Sequence, residues 1–166
     1  MALKVYSETK EPYLQLAAPF EHIRITAPRL SDVPLMAKML NSHSVWPFLS
    51  APTYPYSEEA VRETISARQL PSCEKAWSEI RDKVIAGDKD YVARSMPVMS
   101  VREVLEDGSE VYRGDAWVNR SWYHEVEDLD ERRKAEEENL AKEAGDPTIM
   151  WALACEYTLL PSLATF

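Results

Sequence analysis

The stretch Thr148–Phe166, TIMWALACEYTLLPSLATF, decides the fold. Large side chains fall on every second position: Ile149, Trp151, Leu153, Cys155, Tyr157 and Leu159. Met150, Ala152, Ala154 and Glu156 alternate with them. A period of two held over this length predicts a β-strand. Its almost continuous apolar character predicts a strand covered on both faces. Trp151 on the sheet is therefore expected in the core, as is Trp77 on the covering helix.

Upstream, Gly145-Asp146-Pro147 turns the chain into that strand. Before it, residues 125–143 hold nine acidic and four basic side chains. With Leu129, Ala135, Leu140 and Ala141 among them, they read as an exposed helical insertion over about 125–145, or as a partner-binding helix. From Pro97 the period is again two. PVMSVREVL and EVYRGDAWVNR flank Asp107-Gly108, a hairpin-turn pair.

Two helical segments precede the hairpin. In SDVPLMAKMLN, Val33, Met36, Ala37 and Leu40 share one helical face, Ser31 is a candidate cap, Pro34 sits in the first turn and Asn41 is a stop. A loop rich in proline and aromatics follows. A second helix starts at Ser57, with Glu58 and Glu59 favourable for its dipole. It is interrupted or restarted at Pro71, continues through Cys73, Ala76, Trp77 and Ile80, and stops at Gly87. EHIRITAPR alternates as a half-buried strand, with Ile23 and Ile25 on one side and Arg24 and Thr26 on the other. Residues 1–21 show no period and read as an N-terminal arm. Residues 22–166 then form one α+β domain: a mainly antiparallel sheet of about four strands, covering helices and the charged insertion.

Length and composition fit one globular domain: 166 residues, 45% hydrophobic and 28% charged. A net charge of −9 opposes binding to nucleic acid or anionic membrane and is compatible with a cationic amine or peptide. No segment reaches the length of a transmembrane helix, and the N-terminus lacks a signal-peptide core. Cys73 and Cys155 are isolated and read as buried free thiols, so the expected location is intracellular and cytoplasmic. His22, His43 and His124 have no metal-ligand spacing, so no metal site is expected. No G-x-S-x-G elbow or cysteine nucleophile motif occurs.

The ordered series HIRITAPRLSDVPLMAKMLNSHSVWPFLS, PYSEEAVRETI, VREVLEDGSEVYRGDAWVNR and DPTIMWALACEYTLLPS resembles GNAT-superfamily N-acetyltransferases. The nearest branch is the fungal-type one acting on protein N-termini and related amines. The resemblance spans about Phe20 to Ser162 and covers the first part of that fold. It implies that the last strand splays from a following one and that its backbone pairs with the pantetheine arm of acetyl-CoA. A glycine-rich turn of the type Q/R-x-x-G-x-G/A should then hold the pyrophosphate at a helix N-terminus. Pro161 and Ser162 match the approach to that turn, but all four glycines, Gly87, Gly108, Gly114 and Gly145, are isolated. No phosphate cradle of the G-x-G kind is present.

The resemblance further implies a general base near the last strand, for which Glu156 is the candidate. Glu156 could equally pair with a cation or face solvent. Trp46, Tyr54 and Tyr56 match a substrate-facing loop, or serve in packing. Two functions follow. One is a truncated, GNAT-like interaction module that lacks autonomous acetyl transfer, needs no cofactor and forms a twofold homo-oligomer through Met150–Leu160. The other is an active acetyl-CoA-dependent N-acetyltransferase acting on an amine or protein N-terminus.

Overall fold

The computed structural model describes residues 3–49, 54–88, 90–93 and 95–157; Leu159, Pro161 and Ser162 fall outside them. Six strands form one antiparallel sheet in sequence order: β1 (Leu3–Val5), β2 (Pro12–Gln15), β3 (Ile23–Thr26), β4 (Ser100–Val104), β5 (Glu110–Arg120) and β6 (Trp151–Tyr157). Four helices complete the α+β fold: α1 (Val33–Leu40), α2 (Glu58–Thr64), α3 (Leu70–Ile85) and α4 (Leu129–Ala141).

The sheet has six strands rather than about four. The two extra strands come from residues 3–15, where the sequence shows no period. They are only three and four residues long, and Pro12 opens β2, a strand position that tolerates its missing N–H. Pairing places Leu14 opposite both Leu3 and Ile25, so this segment is integral to the sheet. A cluster of side chains fixes it. Glu110 accepts hydrogen bonds from Tyr6 and from Arg24 (2.8 Å), and Arg29 bridges Glu110 (2.9 Å) and Glu11 (2.8 Å).

Helix starts follow local chemistry. Ser57 caps α2, its Oγ accepting from the Ala60 N–H at 3.1 Å. Asp32, rather than Ser31, occupies the N-cap of α1, and Pro34 lies in the first turn. Asn41 closes α1 by donating to the carbonyls of Ala37 and Tyr56, both at 2.8 Å. A π turn at Ile65–Gln69 joins α2 to α3 without a break, and Pro71, which lacks an N–H, is the second residue of α3. Gly87 stands just beyond α3 at φ +74°, and Gly108 makes the β4–β5 turn at φ +81°.

The core lies between the helices and the sheet. Val33, Met36, Ala37 and Met39 of α1 meet Val61, Ile65 and Tyr112. Beneath them sits a buried polar cluster. Arg102 makes two hydrogen bonds to the Asp32 carboxylate, at 2.9 and 2.5 Å, and a third to Thr26 Oγ1 at 2.8 Å. The side of β3 and β4 that alternates as polar is therefore the side the helices cover.

Two expectations about tryptophan burial are corrected. Trp77 is half-buried. Trp151 is 46% exposed, with the Arg120 guanidinium 5.9 Å from its ring centroid. β6 is the terminal strand of the described sheet, and Trp151, Leu153 and Cys155 project on one face that no described element covers. The expectation of cover on both faces therefore fails, and so does that of a buried Cys155. Ile149, just before the strand, is buried. The charged insertion is α4, capped by Asp128, whose Oδ1 accepts from the Asp130 and Glu131 N–H groups.

Candidate functional site

The segment after α1 is built from aromatics. Trp46 opens a 3-10 turn at Trp46–Phe48 and stacks on Tyr54 at 4.8 Å between ring centroids. His43 meets the Trp46 ring edge-on at 6.4 Å. Trp46 is 38% and Tyr54 54% exposed, so the pair presents a ring surface to solvent. Tyr56 is placed differently. It packs against the α1–α2 core, and its backbone N–H and carbonyl both bond the Asn41 side chain. Of the three aromatics read as substrate-facing, two stand together at the surface and the third anchors the loop.

Glu156 lies on β6 in register with Asp115 of β5; its side chain is outside the described residues. Asp115 is the buried carboxylate here, accepting from Ser100 Oγ at 2.9 Å, and periodicity did not single it out. Cys73, buried on α3, is close enough to Asp115 to feel its charge. Burial first, then Asp115 and Glu74, push the Cys73 thiol up to about 11, so it remains protonated and is no nucleophile at neutral pH.

The described helix ends are poor seats for a cofactor pyrophosphate, which needs free N–H groups without competing anions. α1 begins at Asp32, already bound by Arg102. α2 carries Glu58 and Glu59 in its first turn, and α4 carries Asp130 and Glu131 after its Asp128 cap. α3 continues from the π turn and offers no free end. Gly87 follows α3, Gly108 is a hairpin tip and Gly114 lies inside β5, so none of them opens a helix.

Two further facts bound the chemistry. Among the described residues no group of three or more His, Cys, Asp and Glu side chains is placed to hold a metal ion. No helix among them is long and apolar enough to cross a membrane.

The feature that stands out is β6. Seven residues long, it contains no proline or lysine, two devices that protect a sheet edge, and one charged residue, Glu156. Leu153 is 75% exposed beside Trp151. α4 backs the start of the strand: Asn139, fully buried, bonds the Met150 backbone on both its N–H and its carbonyl, and Arg120 donates to the Asn139 carbonyl. The edge is thus held in shape while no described element covers its outward face.

No protein-family model, curated protein or solved structure matches the chain.

Proposed function

We propose that the chain is a GNAT-like protein that works as an interaction module, associating with a second copy of itself through β6, and that it does not transfer acetyl groups on its own. The observation that carries this reading is the largely apolar β6 at the edge of the described sheet, with Trp151 and Leu153 facing outward. Exposed strand edges pair readily with other chains, and a twofold arrangement is the commonest closed form. Antiparallel pairing of two β6 strands about Ala154 sets Trp151 opposite Tyr157 and Leu153 opposite Cys155. Glu156 then meets Ala152, so no like charges oppose each other in that register.

Support for the GNAT-like part comes from the order of elements. β3, α1, α2, the β4–β5 hairpin and β6 follow the series on which the resemblance rests, and β3 to β6 are sequential antiparallel neighbours. Support for the non-catalytic part comes from the acidic helix ends and the raised Cys73 thiol.

Calorimetric titration with acetyl-CoA tests the catalytic side. The expected result is no binding in the low micromolar range. A low-micromolar dissociation constant, with acetyl transfer to a peptide N-terminus or simple amine, would establish the enzyme instead. Self-association that a charge at Leu153 abolishes is the matching test of the interaction.

A further inference from the structure

A groove of about 590 Å³, with no lining residue from β6, lies between the turn that joins β1 to β2, the segment after β3 and the side of α3 that carries Cys73 and Trp77. That volume is in the range of small-molecule sites. Its deeper wall is apolar: Pro28, Cys73 and Pro97 are buried, and the half-buried Trp77 ring lies along it. The thiol of Cys73 is protonated and behaves as apolar lining.

The charges at its rim are uneven. Glu11 is engaged by Arg29. Two cations lack a carboxylate partner among the described residues. Lys10 donates to the Ser7 carbonyl at 2.7 Å, and the Arg81 guanidinium stands 5.6 Å from the Trp77 ring centroid. The opposing charge is Glu74. Glu74, Trp77 and Arg81 are spaced by three and four residues and so share one face of α3. Trp77 thus sits between an anionic and a cationic end, and Lys10 adds to the positive balance of the rim.

We propose that this groove binds a small flat aromatic carboxylate. The ring would lie on Trp77 and the proline-lined wall, and the carboxylate would meet Arg81 and Lys10. Glu74 fixes the orientation, because it repels a carboxylate and leaves the Arg81 end as the favourable one. An aromatic ammonium of the same shape gains only Glu74 and is opposed by two cations.

The test is titration of the full chain with three probes of one shape: 2-naphthoate, 2-naphthamide and 2-naphthylmethylammonium. Naphthoate should bind most tightly. Arg81→Gln should weaken naphthoate by about tenfold, the scale of one charge-assisted hydrogen bond, and leave naphthamide unchanged. Trp77→Leu should weaken all three, and Lys10→Gln, at an exposed turn, repeats the charge test where folding is not at stake. Leu153→Lys should leave naphthoate binding intact, which separates this site from the β6 contact. The proposal is overturned if naphthoate does not bind at millimolar concentration, or if the ammonium binds as well as the acid. It is also overturned if neither Arg81→Gln nor Lys10→Gln distinguishes acid from amide, or if Leu153→Lys removes binding.

Discussion

Asn139 and Met150 exchange two hydrogen bonds: Asn139 Nδ2 donates to the Met150 carbonyl at 2.9 Å, and Asn139 Oδ1 accepts from the Met150 N–H at 3.0 Å. The side chain thereby mimics a backbone strand partner at the start of β6. It is the one wholly buried residue of an otherwise solvated α4. Asn139→Ala should cost about 1–3 kcal/mol, because the Met150 N–H loses its partner while the Met150 carbonyl keeps the Ser121 N–H at 2.8 Å. Urea unfolding measures this; a loss of less than about 1 kcal/mol would mean that water replaces the amide.

Arg102 and Asp32 form an ion pair in which each side chain is only 3% exposed. Removing one partner strands the other. Asp32→Asn, or Arg102→Met, should each destabilise by about 3–5 kcal/mol. The double variant Asp32→Leu with Arg102→Met should cost clearly less than the two losses added together. Strict additivity in denaturant unfolding would show that the two residues act independently.

Glu110 makes stability depend on pH. Burial raises its carboxyl pKa, but hydrogen bonds from Tyr6, Arg24 and Arg29, with the charge of Arg29, outweigh this and hold it below the ordinary 4.5. A carboxylate whose folded pKa is depressed stabilises the fold above its unfolded pKa and loses that contribution as pH falls through the folded value. Wild type should therefore exceed Glu110→Gln in stability at pH 7. The gap should close as pH drops below about 4.5. A gap that stays constant between pH 7 and pH 3 would assign the effect to shape, not charge.

The sheet was partly legible because alternation is a local signal. PVMSVREVL, EVYRGDAWVNR and the segment from Trp151 read as strands, Asp107-Gly108 as their turn and Ser57 as the start of a helix, and each is found there. β1 and β2 were not legible. Three and four residues are too few to show a period, and what holds them is Glu110, about a hundred residues away. Alternation also tells which side chains share a face, but not which face is covered. Thr26 reads as polar and outward, and it is buried beside Arg102, while Trp151 reads as core and faces outward. The Trp46–Tyr54 pair was legible as an aromatic loop. Asp115 was not, because its burial comes from tertiary neighbours: Ser100 on the paired strand and Cys73 on α3.

The outward face of β6 carries the central claim, and the mass of the native particle tests it most directly. Light scattering of the wild-type chain at tens of micromolar should give twice the 19.0 kDa chain mass. Leu153→Lys puts a charge on a face whose leucine is 75% exposed in the single chain, so it should preserve the fold and return the mass to 19.0 kDa. A wild-type particle of 19.0 kDa across that concentration range, or a dimer unaffected by Leu153→Lys, would contradict association through β6.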